Sequence, residues 1–255
     1  MPSFLEDIRP FYGTGVRNAA GQTLEEFLDA YDPDKYRTPS CTTDAVIFSY
    51  RRQQDLEDMN LKVLLVKRSN HPSIGYWALP GGFINMRENL EDTAKRELEE
   101  ETGVTGVRME QIASYGDYGR DPRTRVITTA YMALVQEEEV TVQAGDDAAD
   151  AAWCHIRVEK LTDEEEQKTA DMTKQKLTEV TEQKAAETEN EKSTYRLHLV
   201  NDSKGLDTTA IVEYRFSGNL IREESYTVKE QGMVAVDHAA ILVQAYSLLK
   251  SRICR

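Results

Sequence analysis

The chain has 255 residues, 40% of them apolar, which is enough for a sizeable core in one large domain or two small ones. Its 45 acidic against 31 basic residues leave a net charge of −14, which argues against nucleic-acid binding through a broad basic surface. Cys41, Cys154 and Cys254 lack paired spacing, and neither an apolar run of roughly 18 residues nor an N-terminal signal pattern is present; a reduced, cytoplasmic protein with no membrane contact is expected.

Residues 1–22 carry Pro2, Pro10, Gly13, Gly15 and Gly21 and are expected to form an irregular arm against the domain or a partner subunit. Residues 23–31 predict a short helix that Thr23 caps, with Glu26 completing a Thr-x-x-Glu capping box. Asp32-Pro33 ends it. Residues 42–50 (TTDAVIFSY) and 61–68 (LKVLLVKR) are strand candidates, and the polar stretch 51–60 between them reads as a loop. Tyr76 and Trp77, in the run GYWALP, are candidates for the core or for stacking on a base or ribose.

The chain is organised around residues 82–104, where Gly82 is followed by Glu88 and then by Arg96-Glu97-Leu98-Glu99-Glu100-Glu101-Thr102-Gly103-Val104. Glu97, Glu100 and Glu101 stand at i, i+3 and i+4, so on a helix they share one face. Three carboxylates there repel one another unless a divalent cation sits among them. An all-oxygen set with spare positions suits Mg²⁺ or Mn²⁺. Arg96 can pair with Glu100, Ala94 and Leu98 form an apolar stripe that seats the helix, and Gly103 is a stop signal. Gly81, in Pro80-Gly81-Gly82, lets the chain turn sharply and can offer a carbonyl to the metal. By average residue usage the full spacing arises by chance on the order of once in ten million such chains.

Beyond it, residues 107–115 and 126–135 are strand candidates. The turn 119–123 (GRDPR) carries Arg120 and Arg123, with Arg125 close behind. It is either a charged hairpin turn or a phosphate-contacting loop, since guanidinium forks suit phosphate oxygens. Residues 145–156 read as a turn and a strand with Asp146, Asp147 and Asp150 near its start. Residues 159–192 hold eleven acids, six lysines and no aromatic, which predicts one or two polar helices or an arm. Residues 194–200, 208–216 and 220–229 are strand candidates, with Ser217-Gly218-Asn219 as a tight turn between the last two. Residues 234–252 return to helix, with Ile241, Leu242, Ala245, Leu248 and Leu249 on one apolar stripe.

Residues 82–104 match the Nudix box, GX5EX7REUXEEXGU, at every fixed position. With residues 23–31, KYRTPSCTTDAVIF, YWALPGGF and the GRDPR turn, the chain resembles the Nudix branch of ADP-ribose pyrophosphatases and the related regulators of NAD metabolism. That resemblance covers roughly residues 23–156 and resumes near the C-terminus. It implies an α/β (α+β) fold, a Nudix α/β/α sandwich with a mixed sheet, spanning residues 23–158 and 233–255. Residues 159–232 would then be an insertion made of an acidic helical segment (159–192) and an antiparallel β-rich segment (194–230). The β-rich segment is expected to extend a sheet or form a dimer contact. The regulators carry a winged-helix DNA-binding domain, and no basic recognition helix is evident here.

The resemblance further implies a Mg²⁺-dependent hydrolase, with Mn²⁺ as the other candidate ion, acting on a nucleoside diphosphate-linked small molecule. The first choice is ADP-ribose, split to AMP and ribose 5-phosphate. Glu97, Glu100, Glu101 and the Gly81 carbonyl would hold metal. Arg96 and Glu88 would orient these ligands, and Arg120, Arg123 and Arg125 would bind the diphosphate or terminal ribose. The general base would be Glu97 or an acid outside the box such as Asp147 or Asp150. A homodimer without nucleic acid is expected. The alternatives are hydrolysis of other nucleotide sugars, dinucleotides or nucleoside triphosphates, and a non-catalytic ADP-ribose-binding sensor or scaffold. His238 is expected to be a structural residue at the start of the last helix.

Overall fold

A computed structural model of the chain describes residues 4–143, 148–162 and 191–254, with only the backbone described at 148 and 149. The chain divides into two compact units, Met1–Pro39 and Ser40–Arg255. In the first, helix α1 (Leu24–Ala30) begins at Thr23, whose hydroxyl accepts from the Glu26 N–H while the Glu26 side chain accepts from the Thr23 N–H. That reciprocal capping box satisfies two otherwise orphaned donors. Helix α1 falls within the Met1–Pro39 unit.

The second unit is built on one curled mixed sheet. Its strands are β1 (Ser40–Tyr50), β2 (Leu61–Arg68), β3 (Trp77–Ala78), β4 (Gly81–Phe83), β5 (Glu110–Tyr115), β6 (Val126–Gln136), β7 (Ala148–Lys160), β8 (Glu191–Asn201), β9 (Leu206–Ser217) and β10 (Glu223–Glu230). Their order is β10-β9-β8-β7-β2-β1-β6-β5, with β3 on β2 and β4 on β1. Strands β1 and β6 run parallel, and the other described pairings are antiparallel.

The run Ala45-Val46-Ile47-Phe48 is buried on both faces of β1, which is why it reads as continuous hydrophobicity and not as alternation. Ala45 and Ile47 face Ala94 and Leu98 of helix α3 (Leu90–Thr102), while Val46 and Phe48 face helix α4 (His238–Ile253). This is the α/β/α layering expected of the resemblance. Helix α3 is seated by a narrow stripe, in which full burial of Leu98 contributes roughly 2 kcal/mol. Helix α4 buries nine residues, so it is the better anchored of the two. Leu248 lies at the edge of its stripe and is only partly buried.

Three local expectations are corrected. Residues 51–60 are not all loop: helix α2 (Gln53–Glu57) forms because Asp55, buried, accepts from the Arg52 backbone N–H and binds its guanidinium. Strand β10 starts at Glu223, not at residue 220. Gly218 has φ +87°, and a methyl there would meet the Ile221 carbonyl at 2.1 Å. The chain doubles back so closely that Leu220 and Ile221 stand out in solvent in the five-residue turn 218–222. The last helix starts at His238 and not at 234.

The β-rich region extends the main sheet, since β8 pairs with β7 over Tyr195–Val200 and β9 and β10 follow. The acidic helical arm expected at 159–192 lies outside the described residues over 163–190; its ends, Glu159-Lys160 and Glu191-Lys192, belong to β7 and β8. Among the described residues no helix is long and apolar enough to cross a membrane.

Candidate active site

The site forms where β1 changes neighbours. Over Phe48 and Ser49 it pairs with β2, but over Thr42, Thr43 and Asp44 it pairs with β4. The gap opened by that switch is a cavity of about 480 Å³, lined by Asp44, Arg68, Gly81, Gly82, Glu97 and Glu101 among others. Two glycines make it possible. A methyl on Gly81 would collide with the Thr43 carbonyl at 2.0 Å and reach Asp44 Oδ1 at 3.0 Å. A methyl on Gly82 would lie 2.5 Å from the Glu97 carboxylate. The bare backbone thus lets Asp44 approach from one side and Glu97 from the other.

Helix α3 delivers the carboxylates. It starts after Asn89, and Gly103 closes it with φ +71°, its N–H bonded to the Glu99 carbonyl. Arg96 is the hub. It donates to Glu88 Oε1 at 2.9 Å, Glu97 Oε1 at 2.7 Å, Glu100 Oε2 at 2.8 Å and the Phe83 carbonyl at 3.1 Å. The Arg96 guanidinium, with the Thr93 hydroxyl and Asn85, holds the Glu88 carboxyl down at about 2. Glu88 therefore serves as a fixed anion that anchors Arg96, outside the cavity wall.

The three box glutamates do not end up together. Glu97 and Glu101 face the cavity, whereas the Glu100 side chain is 58% exposed and turned to Arg96. Glu101 Oε2 accepts from the Gly81 N–H at 2.9 Å. Burial pushes its carboxyl up to about 7, opposed by that hydrogen bond and reinforced by the charges of Glu97 and Asp44. Burial also raises Glu97, against the pull of Arg96.

Among the described residues no three acidic, imidazole or thiol side chains form a ready-made ligand group. Instead Asp44 from β1 and Glu97 and Glu101 from α3 face the same glycine pair. The chemistry of this set fits a hard divalent cation. All the donors are carboxyl oxygens, and their mutual repulsion when ionised is what an ion would relieve.

Glu101 has a measurable consequence. A carboxyl that keeps its proton to about 7 in the fold but releases it near 4.5 when unfolded stabilises the fold below pH 4.5, and that contribution is lost as pH rises through about 7. Without metal, unfolding free energy is expected to fall by roughly 3 kcal/mol across this window. Denaturant titrations at the two ends, in chelator, check it. The pH slope should flatten in Glu101→Gln.

The arginines of the GRDPR turn separate. Arg120 is only 7% exposed and is held by Asp237, whose Oδ2 and Oδ1 accept from it at 2.8 and 2.9 Å; Asp44 Oδ2 lies 3.8 Å away. Arg120 lines the cavity as part of a buried ion pair. Arg123 is half-exposed at the cavity edge, tied to Asp121 at 2.8 Å and lying over the Phe83 ring at 5.4 Å. Arg125 is exposed and does not reach the cavity.

Of the acids considered outside the box, Asp150 pairs with Lys204 at 2.7 Å away from the cavity, and Asp146 and Asp147 lie outside the described residues. Trp77 is buried in the core, and Tyr76 packs beside Val66, Ala78 and Ala235.

Arg68, Asp44 and His238, to which the sequence assigned no part in the site, complete the wall. Arg68, from β2, donates to the Pro72 carbonyl at 2.7 Å and faces Glu101. Asp44 was visible only as one polar residue in a strand. His238 accepts at Nδ1 from the buried Leu79 N–H at 2.8 Å and puts Nε2 3.7 Å from Asp44 Oδ1. The helix-start role expected of His238 is thus joined to a place in the cavity wall. Neither residue carries a spacing signal, because β1 and the lead-in to α4 are nearly 200 residues apart in sequence and meet only in the fold.

The model of the NUDIX domain matches residues 42–176. An ADP-ribose pyrophosphatase of Methanocaldococcus jannaschii is 33% identical over 132 residues, covering 51% of this chain and 71% of that protein. The ADPR responsive transcriptional repressor NtrR of Acinetobacter baylyi is 42% identical over 113 residues; these are 44% of this chain and only 43% of the repressor. Among solved structures, a MutT/nudix family protein from Enterococcus faecalis matches with a TM-score of 0.59 and 28% identity. That match covers 90% of this chain and 70% of the other, so it reaches into the β8–β10 region.

Proposed function

Because the chain belongs to the NUDIX domain family, we propose that it is a divalent-metal-dependent hydrolase of a nucleoside diphosphate derivative, with ADP-ribose as substrate and AMP and ribose 5-phosphate as products. The observation that carries this reading is the convergence of Glu97 and Glu101 on the Gly81-Gly82 pair at the wall of one cavity. Similarity to an ADP-ribose pyrophosphatase supports the choice of substrate.

Bound Mg²⁺ or Mn²⁺ would neutralise charge on the diphosphate and make water a better nucleophile. The chain's residues do the rest. Glu97 and Glu101 would hold the ion, and Glu100, now paired with Arg96, would be the third carboxylate available to it. Arg96, fixed by Glu88, sets the Glu97 carboxylate in place. Water adds to one phosphorus, the bridging P–O bond breaks, and the leaving phosphate departs with the ribose. The proton of that water would pass to Glu97 or to an acid outside the box. Arg123, over Phe83 at the cavity edge, is placed to meet a phosphate or ribose. Arg120, which lines the cavity while paired with Asp237, would contribute positive potential there.

An initial-rate panel over ADP-ribose, NADH, diadenosine polyphosphates, nucleotide sugars and nucleoside triphosphates tests the reading. The highest kcat/KM is expected for ADP-ribose, with AMP and ribose 5-phosphate in equal amounts and no turnover in chelator. Idle ADP-ribose beside good turnover of another diphosphate would overturn the substrate. A second reading, an ADP-ribose sensor, is favoured by the 42% identity to a repressor. It predicts ADP-ribose binding without phosphate-bond cleavage in the same panel.

A further inference from the structure

Asp44 stands on β1, more than fifty residues ahead of the helix carboxylates, and belongs to no recognised spacing. Its side chain is only 9% exposed. A buried carboxylate ordinarily has each oxygen engaged, because the cost of removing it from water must be met by hydrogen bonds or counter-charge. Here the two oxygens differ. Oδ2 accepts from the Thr128 hydroxyl at 2.7 Å and has the Arg120 guanidinium at 3.8 Å. Among the described residues Oδ1 accepts no hydrogen bond, and His238 Nε2 is 3.7 Å away. Oδ1 is turned to Gly81, whose N–H is already committed to Glu101. One oxygen is therefore locked from behind and the other is presented to the cavity that Glu97 and Glu101 also line.

Three carboxyl groups that line one cavity repel one another when ionised, and a cation or a cation-bound water between them would relieve that repulsion. We propose that Asp44 Oδ1 is a further anionic oxygen of the divalent-ion site, supplied by the sheet opposite the helix carboxylates, and that Thr128 is the positioning residue that aims it. Glycine at 81 is required for the same reason: a methyl there would fill the space in front of Oδ1. Thr128 neighbours Asp44 because β6 runs parallel to β1, with Thr128 level with Thr42. The inference rests on the metal-dependent reading given above.

Direct titration of Mn²⁺ on the full chain, followed by the electron paramagnetic resonance signal of the free ion, tests it without reference to turnover. The proteins are wild type, Asp44→Asn, Glu101→Gln and Thr128→Val, each also melted in chelator. Asp44→Asn is expected to bind Mn²⁺ at least ten-fold more weakly and, in chelator, to melt no lower than wild type, because a like charge has been removed. Thr128→Val, which keeps the charge and loses the aim, should weaken Mn²⁺ several-fold. Wild-type affinity in Asp44→Asn, with Glu101→Gln impaired, overturns the role of Asp44 and leaves the metal-dependent reading intact. Absence of Mn²⁺ binding by wild type itself overturns that reading. If Asp44→Asn fails to fold, wild-type affinity in Thr128→Val overturns the inference.

Discussion

Replacing Glu101 by Gln is expected to lower metal-dependent turnover by on the order of 10³-fold, a loss of about 4 kcal/mol of transition-state stabilisation. Glu101 combines three properties that no other residue of the box has together. It lines the cavity, its Oε2 is fixed by the Gly81 N–H at 2.9 Å, and burial raises its proton affinity so far that its carboxyl titrates at about 7. A group so buried is costly to ionise and gains most from a bound cation. Gln keeps the shape and can still accept from Gly81, but it cannot supply the charge. The fold should not suffer: the metal-free melting temperature above pH 7 is expected to match or exceed that of wild type, since the ionised carboxylate no longer has to be buried. Steady-state rates in saturating Mg²⁺, set beside thermal melts in chelator, check both halves. An unchanged rate in a folded variant would remove Glu101 from the active site.

Asp237→Ala is expected to cost about 3 kcal/mol of stability, an effect out of proportion to a partly exposed residue before a helix. Asp237 provides no side-chain cap for α4, so capping is not what is lost. What is lost is the partner of Arg120, a guanidinium 7% exposed that would be left with Asp44 at 3.8 Å. Removing one member of a buried pair is far worse than removing both. The double variant Arg120→Leu/Asp237→Ala should therefore recover at least half of the loss, and urea unfolding of the four proteins measures the coupling. A fully additive cycle would mean that the ion pair is not what holds the turn before α4. Arg120, expected from the resemblance to bind the diphosphate or ribose, lines the cavity with its Nε and Nη2 paired to Asp237.

Much of the architecture was legible because it depends on local pattern. Strand β2 runs from Leu61 to Arg68 as the apolar run implied, α1 begins at its capping box, and α3 ends at Gly103. The Nudix spacing identified α3 because it is itself a helix-face pattern, with Ala94 and Leu98 inward and the glutamates outward. Apolarity and spacing do not by themselves set where a side chain points, because turn geometry and pairing with nearby residues also act. Leu220 and Ile221 are apolar enough for a strand, yet the backbone reversal at Gly218 leaves them in solvent. Glu100 has the same spacing credentials as Glu97 and Glu101, but Arg96 holds it outward.

The sequence by itself determined the family, the helix that carries the box glutamates and the kind of atom offered to an ion, because residue type and i, i+3, i+4 spacing fix which groups share a helix face. Only the tertiary structure decided which of those groups meet. The switch of β1 from β2 to β4 opens the cavity, two missing Cβ atoms admit Asp44 and Glu97 to it, and the return of the chain at Asp237 and His238 engages Arg120 and backs Asp44. These are contacts between segments far apart in sequence. Burial and electrostatics act through distances in space, and no spacing along the chain records them.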